Sequence, residues 1–486
     1  MEIHEPRPLR PRPRELVIPP RSDNRQATGT LILQDVYAGR RMEGVKKGEI
    51  KKLLVLESLP KPINYSGKMP PISFGGTYTL ERILGTVPVE EDGSAYMEVP
   101  ALRSLFFVAL DENNNSVKRM HSFLAVMPGE TTSCVGCHEQ RQKTPSSPTV
   151  RSLQALGHPP SRITPVAGIP DVFDYPRDIQ PVLDKHCVSC HNYDQRAGRV
   201  ILTSDHGPIF SHSYYTLTAR QLFSDGRDRL QTNLPPRSVG TSASPLMKML
   251  DGGHYGAKLT QHEQDMIRYW IESAAPYPGT YAALGTGMIG GFPKSVLETS
   301  DRKWPSSIDA AEAIQRRCKT CHDSSLPMPQ YISDNLELIL SNPDPNDIRI
   351  QYSRHLMFNL SRPAKSLILL APLATGAGGY NICKQRNDYG TFGRTVTVFA
   401  DVNDPDYRKI LTLCHEGNRH LQQIKRFDMP GFRPAKTYIR EMKRYGLLPR
   451  NLPEHALIDV YATDRAYWRS LWWQPKATAR SEDSIP

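Results

Sequence analysis

The sequence contains no long apolar run. Its most hydrophobic stretch, SLILLAPL at residues 366–373, is much shorter than the roughly 18 apolar residues that a membrane-spanning helix needs. The first residues, MEIHEPRPLRPRPRELVIPPR, also lack the apolar segment of a secretory signal peptide. The sequence therefore predicts a protein without a membrane span, and it shows no export signal.

Basic clusters are missing as well, although the chain is basic overall. Lys and Arg outnumber Asp and Glu by 61 to 50, and the formal net charge is +11. The basic residues are scattered, without a basic helix or an RNA-binding signature, so a nucleic-acid partner is not expected. With 486 residues, 42 prolines and 33 glycines, the chain suits several folded domains joined by irregular linkers.

Cysteine is scarce, with 8 residues in the chain, yet most of it follows one repeated pattern. A random shuffle of this composition would produce about 0.004 motifs in which two cysteines are separated by two residues and followed at once by histidine. The repetition therefore indicates a shared chemical purpose. The three motifs are Cys134, Cys137 and His138; Cys187, Cys190 and His191; and Cys318, Cys321 and His322.

This spacing suits covalent haem attachment. Two thiols three positions apart on a helical turn can add to the two vinyl groups of one porphyrin, and the next residue can direct its imidazole at the iron as proximal ligand. We therefore predict up to three molecules of haem c. The iron ligands would be His138, His191 and His322.

Zinc is the alternative cofactor, because cysteine and histidine are its usual ligands. Zinc sites normally bring two such cysteine pairs close in sequence, whereas these motifs begin at residues 134, 187 and 318. A thioredoxin-like use would need a surrounding βαβ pattern, which is not visible. The remaining Cys383 and Cys414 are expected either to form a disulfide or to stay free and buried.

The patterns predict a multidomain α+β protein, with an N-terminal β-sandwich-like domain followed by mainly α cytochrome c-like domains. Residues 28–145 contain short β-favouring runs separated by turn signals, which suggests an antiparallel sandwich with the first motif at its edge. In residues 172–282 an amphipathic helix precedes the second motif, and a helix with a capping box at Thr260 and Glu263 closes the unit, a layout that resembles a class I cytochrome c domain.

Residues 306–473 repeat the order of helix and then motif, with Ser306 and Asp309 as the expected helix cap. The C-terminal tryptophans are expected to dock the terminus on the core. The predicted connections are a tail at 1–27, a linker at 146–171, a Gly-rich linker at 283–305 and a tail at 474–486.

The sixth iron ligands are harder to predict. In a cytochrome c domain the distal ligand lies in the loop before the last helix, here MLDGGHYGAKLT, so His254 is the preferred ligand of the second haem, with Met247 or Met249 as alternatives. The first haem has no obvious candidate. Several residues qualify equally for the third haem, namely His355, His415, His420, Met328 and Met429.

The order of several segments resembles the middle and C-terminal parts of the hydrazine synthase alpha subunit and its relatives. This resemblance implies a periplasmic, multi-haem c-type protein with a β-rich middle domain, a helical cytochrome domain and redox partner proteins, or a subunit of a larger complex. The matching segments lie within residues 15–473 and are TGTLILQDVYAGRRM, GTVPVEEDGSAYMEVP, MPGETTSCVGCHE, FDYPRDIQPVLDKHCVSCHN, HLMFNLSRPAKSLILLAPLATGAGGY and IKRFDMPGFRP.

The chain also departs from that family. For the catalytic haem of the synthase, the resemblance implies a tyrosine on the iron shortly after the motif and a motif histidine diverted to zinc. Here residues 139–142, EQRQ, follow His138, and the next tyrosine is Tyr175, so hydrazine synthesis is not expected. The family's N-terminal β-propeller has no counterpart, and we expect a shortened gene product or a start upstream of Met1.

Two functions follow from the motifs. The first is electron transfer by three haems, each iron closed by two protein ligands. The second is a haem-dependent oxidoreductase acting on a small nitrogen or oxygen species at an open iron, with the first haem as the expected site and Glu130, Glu139 or His121 as acid or base. Either function places the protein in the periplasm or another extracytoplasmic space, where haem is attached to such motifs.

Overall fold

The computed structural model describes residues 19–64, 69–74, 77, 79–137, 153–224, 233–334, 347–386 and 391–475. Within these ranges the architecture is α+β, as predicted, with a β-rich N-terminal part and a mainly helical remainder. The strands of the N-terminal part are β1 Thr28–Leu33, β2 Lys52–Ser58, β3 Glu81–Pro88, β4 Ala95–Pro100, β5 Leu105–Leu110, β6 Ser116–Arg119, β7 Thr131–Cys134 and β8 Ser161–Arg162.

These strands form two four-stranded sheets that pack into a sandwich. The first sheet has the order β7-β1-β4-β8 and the second the order β3-β2-β5-β6. All pairs of the second sheet are antiparallel, but β7 runs parallel to β1 and β8 runs parallel to β4. The antiparallel prediction is therefore wrong for these two outer strands, because each reaches the first sheet through a long connection instead of a hairpin.

The second sheet is apolar on both faces. Leu53 and Val55 of β2 belong to the core between the two sheets. Leu54 and Leu56, on the opposite face, belong to a core shared with the helical part, which includes Trp270. Since a strand covered on both sides lacks alternating polarity, the apolar run LLVL at residues 53–56 is explained. The result is three layers: sheet, sheet and helices.

One predicted strand lies at a different place. The segment HSFLAVMPGE, residues 121–130, forms only one isolated bridge, from Leu124 to Leu105. The fourth strand of the second sheet is instead β6, and all four of its residues are buried. The sequence does not predict this strand because two of its four residues are charged. Both charges are satisfied inside the protein: the ammonium of Lys118 donates to a backbone carbonyl at 2.6 Å, and Arg119 pairs with a buried glutamate at 2.7 Å.

The helical part contains the motif helices and the helices that pack against them. The capping box of the fourth helix is formed as predicted, with Thr260 and Glu263 each bonded to the other's backbone amide. A small antiparallel pair, β9 Lys384–Arg386 and β10 Phe392–Thr395, lies among the later helices. The helices are α1 Gln180–His186, α2 His212–Ala219, α3 Pro245–Asp251, α4 Gln261–Glu272, α5 Pro305–Cys318, α6 Arg354–Met357, α7 Leu367–Leu370, α8 Pro405–Ile424, α9 Lys436–Arg444 and α10 Val460–Leu471.

The predicted cap of the third motif's helix is wrong. Helix α5 begins at Pro305, and Trp304 occupies the cap position without a side-chain hydrogen bond. Proline at the first helical position has its φ preset and needs no donor there, so the helix starts earlier than a capping box at Ser306 would allow. The hydroxyl of Ser306 instead donates to Glu416 of α8.

The predicted linkers contribute to the fold where the structure describes them. The segment 146–171 is described from residue 153 and supplies β8 to the first sheet. In the Gly-rich segment 283–305, Met288, Ile289 and Phe292 are buried. The domain bounds themselves stay predictions. Across the described ranges, no helix combines the length and the apolar character needed to span a membrane.

Candidate haem-attachment sites

The second motif lies in the turn that follows α1. Val182 and Leu183 of that helix pack into the core shared with the second sheet. Beyond the helix, the amides of Cys190 and His191 both donate to the carbonyl oxygen of Cys187, at 3.1 and 2.9 Å. This turn keeps the two thiols one helical turn apart, as haem attachment requires. Burial raises the pKa of the Cys187 thiol to about 11, whereas Cys190 is exposed.

The imidazole of His191 is held at one of its nitrogens. Its Nδ1 lies 3.0 Å from the carbonyl oxygen of Ala197. A hydrogen bond from Nδ1–H to a carbonyl fixes the tautomer and ring orientation, and it leaves Nε2 available as a metal ligand. The arrangement is the one expected of a proximal histidine.

The structure brings His254 to the same place as His191. The ring centroids of the two histidines are 6.0 Å apart, and their planes differ by 17°. When two imidazoles bind one metal through bonds of about 2 Å, and each ring centroid lies about 1 Å from its nitrogen, the centroids are about 6 Å apart. The observed pair lies at about this separation, and the ligand role of His254 stays a prediction.

The alternatives to His254 lie on α3. Met247 is 1% exposed and packs in the core shared with the second sheet, while Met249 is half-buried.

Glu263 connects the elements on either side of the two histidines. Its carboxylate lies 2.7 Å from the Lys185 ammonium and 3.1 Å from Nε2 of His186. Helix α1, before the second motif, is thus bonded to α4, after the His254 turn.

The third motif repeats this geometry at the end of α5. The amides of Cys321 and His322 donate to the carbonyl oxygen of Cys318 at 3.1 and 2.9 Å, and Nδ1 of His322 lies 3.2 Å from the carbonyl oxygen of Leu326. Burial raises the pKa of the Cys318 thiol to about 12 and lowers the pKa of His322. Its neutral imidazole is therefore favoured, which is the form that binds metal.

A cavity of about 230 Å³ opens beside the third motif. Its wall includes Cys318 and His322, and it also includes Met328, one of the five residues predicted as a sixth ligand. The other four do not line this cavity. His355 is fully buried between the rings of Phe210 and Tyr215, with centroids 5.2 and 5.0 Å away.

The remaining three sixth-ligand candidates lie on or near α8. His415 is exposed, His420 packs against Trp304 with ring centroids 5.5 Å apart, and Met429 packs against the C-terminal core. The sequence does not distinguish these candidates, because nothing in it shows which of them lies close to Cys318 in the fold. Only the packing of the described residues separates Met328 from them.

Two further residues beside the third motif were missed by sequence analysis. Tyr352 packs edge-on against His322 with ring centroids 5.1 Å apart. Arg386 of β9 pairs with Asp323 at 2.9 Å and donates to the hydroxyl of Ser325 at 2.7 Å. Both come from distant parts of the chain, and no local signal in the sequence relates them to the motif.

The first motif differs from the other two because it follows a strand. Cys134 ends β7, which is the edge strand of the first sheet, and lies opposite Leu33 of β1 in a parallel pair. Cys137 follows in a bend and packs, like Cys134, against the core between the sheets. The motif thus lies at the sandwich edge, as predicted, while its histidine, His138, lies outside the described residues.

The backbone of the first motif is in close contact with the loop after β1. A Cβ on Gly136 would lie 1.8 Å from the carbonyl oxygen of Ala38, and a Cβ on Gly39 would lie 1.8 Å from the carbonyl oxygen of Cys137. These contacts are too short for any residue other than glycine. Lys118 of β6 interacts electrostatically with Cys137, and sequence analysis missed this lysine too.

In the described ranges, no group of three or more His, Cys, Asp or Glu side chains is placed to hold a metal ion such as zinc. Cys383 and Cys414 are both free thiols, so the disulfide alternative is not formed. Cys414 is buried on α8 and accepts a hydrogen bond from Ser366 at 3.4 Å. Half-buried Cys383 instead lies close enough to Cys318 of the third motif to contribute, after burial, to the raised pKa of that thiol.

Comparison with known families agrees with the resemblance seen in the sequence. Residues 48–139, which contain most of the sandwich and the first motif, match the family model of the hydrazine synthase alpha subunit middle domain. This segment is therefore similar to that middle domain. A search of curated proteins found no match to the chain.

A solved structure also matches. It is the Kuenenia stuttgartiensis hydrazine synthase, with a TM-score of 0.39 and 17% sequence identity over 52% of this chain and 44% of that chain. The present chain therefore spans less than half the length of that synthase chain. The hydrazine synthase alpha-like assignment rests on the middle-domain segment, and the second and third motifs lie outside it.

Proposed function

We propose that this hydrazine synthase alpha-like protein binds haem c covalently at its three motifs and transfers electrons. The observation that carries the proposal is the facing pair of His191 and His254, 6.0 Å apart with nearly parallel rings. These two residues lie far apart in sequence and on different elements. Their convergence next to two thiols is the arrangement that a six-coordinate haem c needs.

The described residues of the second and third motifs fit this cofactor. In both, the cysteine thiols are one helical turn apart, and the motif histidine has its Nδ1 close to a backbone carbonyl, of Ala197 or of Leu326. Bound haem would supply a one-electron iron couple. The carbonyl partners would orient each imidazole and raise its basicity, since such hydrogen bonds tune metal-bound histidines.

Closed coordination at the second site would favour electron transfer over catalysis there. With His191 and His254 both on the iron, no exchangeable position would remain for a substrate. Two histidines would also give a lower potential than a histidine and a methionine. Met328, on the wall of the third cavity, would raise the potential of the third haem if it closed that iron.

Catalysis at the first motif stays a second hypothesis. Its histidine, His138, and the predicted acid or base Glu139 lie outside the described residues. The other predicted group, Glu130, accepts a hydrogen bond from the Met127 amide at 2.8 Å and so shapes the turn before β7. His121 is half-buried just after β6. No observation among the described residues favours a substrate at this motif.

Location and assembly follow from the same proposal. Because haem is attached to these motifs outside the cytoplasm, we expect the chain to act in the periplasm or an equivalent space. Redox partner proteins are then needed to deliver and remove electrons. Assembly into a larger complex is part of the proposal, since the matching segment belongs to a synthase subunit family.

A haem count tests the proposal. The full chain would be matured with the haem-attachment machinery, and intact mass and a pyridine haemochrome assay would count the haems on each chain. Three haems are expected, and the double variant with Cys187→Ala and Cys190→Ala should carry one fewer. Changing the two non-motif cysteines, Cys383 and Cys414, to serine is the matched control and should leave the count unchanged. The bare polypeptide mass in the parent protein would refute the proposal.

A further inference from the structure

The turn that carries His254 places a tyrosine almost wholly in water. Tyr255 is 99% exposed, and its φ of 43° and ψ of 33° lie in the left-handed region. Gly253 and Gly256 on either side have φ of 75° and 79°. A Cβ on either glycine would meet no atom within 4 Å, so both serve backbone conformation and not close packing. The turn holds a large ring outside the core at a cost in backbone strain.

Tyr255 also contacts the proposed distal ligand. Its ring meets the imidazole of His254 edge-on, with centroids 4.8 Å apart and an interplanar angle of 85°. The ring of His191 also lies next to that imidazole. A protein that docks on Tyr255 would therefore touch the side chain next to the axial ligand pair. Of the two cysteines of the second motif, Cys190 is exposed as well. The second site is therefore open to the surface at both Tyr255 and Cys190.

Two lysines and one aspartate lie within residues 248–258 around the turn. Lys248 and Lys258 are both exposed, and no carboxylate of the described residues lies within ion-pair distance of either. The one acidic residue between them, Asp251, is already paired with the buried guanidinium of Arg268 at 3.4 Å. The exposed ring of Tyr255 therefore has an exposed lysine seven residues before it and another three residues after it, and no ion pair within the described residues compensates either. This combination fits an acidic protein surface, because cations steer the encounter and tyrosine anchors the contact.

We propose that Tyr255, Lys248 and Lys258 form the docking surface through which an acidic one-electron carrier protein reaches the second haem. The inference rests on the proposed function, because it requires haem at the second motif. In each exchange, a reduced carrier would give up one electron, and the haem held at Cys187, Cys190 and His191 would accept it. No covalent bond forms or breaks, so the surface needs only to orient the carrier. Tyrosine supplies a rigid contact, and the lysines supply long-range attraction.

The experiment uses the full haem-loaded chain, with its haem count verified first. Stopped-flow kinetics would follow haem reduction by reduced flavodoxin, an acidic protein, and by two small reductants of opposite charge, Fe(EDTA)²⁻ and Ru(NH₃)₆²⁺. For flavodoxin, Tyr255→Ser should lower the second-order rate constant about fivefold. The double variant Lys248→Glu and Lys258→Glu should slow flavodoxin and Fe(EDTA)²⁻ about fivefold and speed the ruthenium complex.

Matched controls come from elsewhere on the chain. Phe123 is 65% exposed, and Lys294 is exposed and lies outside residues 248–258, so Phe123→Ser and Lys294→Glu should leave the rates unchanged. If the Tyr255 and lysine variants keep the parent rates while the haem count and spectrum are intact, the docking surface is wrong and the proposed function stands. If Tyr255→Ser slows all three reductants equally, the haem site itself is altered and the docking inference fails. A chain without haem overturns both proposals.

Discussion

Trp472 lies over the guanidinium group of Arg103, with 4.1 Å between the Cζ atom and the ring centroid. Arg82 lies 4.6 Å from the same ring, so the indole close to the C-terminus is held by two cations of the N-terminal sandwich. Arg103 in turn pairs with buried Glu57 of β2, and Trp473 donates to the carbonyl oxygen of Gln26 at 2.9 Å. The predicted docking of the C-terminal tryptophans on the core is confirmed.

Replacing Trp472 with alanine should destabilise the protein. The change removes both cation–π contacts and the packing of Trp472 against the cluster that includes Leu59, Leu80 and Trp468. We expect a loss of about 2 kcal/mol in the free energy of unfolding. Chemical denaturation followed by circular dichroism would measure it. Leu457→Ala is the control, because Leu457 is 84% exposed. Equal midpoints for the two variants would show that this contact does not stabilise the fold.

Removing the His254 imidazole should open the second haem. In the haem-loaded chain, His254→Ala should convert about a third of the haem from low-spin to high-spin, because one of three irons loses its sixth ligand. The ultraviolet–visible spectrum measures this change, and added imidazole should reverse it. His262→Ala is the matched control, since His262 is exposed on α4 only eight positions away. A spectrum that stays low-spin in the His254 variant would exclude this histidine as ligand.

Alanine at Gly136 should disrupt the first motif without touching the other two. The new Cβ would lie 1.8 Å from the Ala38 carbonyl oxygen, so strand β7 or the loop after β1 must move, at a cost of about 3 kcal/mol. Thermal unfolding and the haem count would both report this change. A Cβ on Gly157 would meet no atom within 4 Å, so Gly157→Ala is the control. If both variants retain the parent stability and haem count, the close approach seen here is not required.

Two buried carboxyl groups attach α10 to the segment after α4. Asp464 accepts hydrogen bonds from Tyr438, Thr280 and the Tyr281 amide at 2.6–2.8 Å. Burial raises the pKa of Asp464 to about 6, and it raises the pKa of Asp174 to about 6 as well. Folding therefore favours the protonated form of each, and this stabilisation is complete below the unfolded pKa and disappears as the pH rises through about 6.

The Asp464→Asn variant should therefore lose part of the pH dependence of stability. For the parent protein, this single group should reduce the free energy of unfolding by about 1 kcal/mol between pH 5 and pH 8. The asparagine has no such titration, so the difference between the two proteins should shrink or reverse over that interval. Urea denaturation at both pH values would measure it, with Asp309→Asn, an exposed position, as control. Parallel pH profiles for the parent and the Asp464 variant would contradict the prediction.

The sequence by itself determined the features that depend on neighbouring residues. The turns of the second and third motifs, the amphipathic helix before the second motif and the capping box of Thr260 and Glu263 are all local patterns, and local backbone geometry reproduces them. Two of the segments that carry the family resemblance, GTVPVEEDGSAYMEVP and MPGETTSCVGCHE, lie inside the residues that match the middle-domain model. Where local preferences and tertiary packing agree, the local pattern is enough to predict the structure.

The tertiary structure decided what depends on distant residues. The approach of His254 to His191, the choice of Met328 over His355 at the third cavity, and the burial of β6 each require long-range packing. The same is true of Cys383, which lies near the third motif and not beside Cys414. Side-chain spacing along a chain fixes which residues share a helical turn, whereas burial of apolar surface decides which elements meet. Tertiary packing therefore decides which residues form the candidate ligand pair, whereas the three motifs can be recognised from the sequence alone.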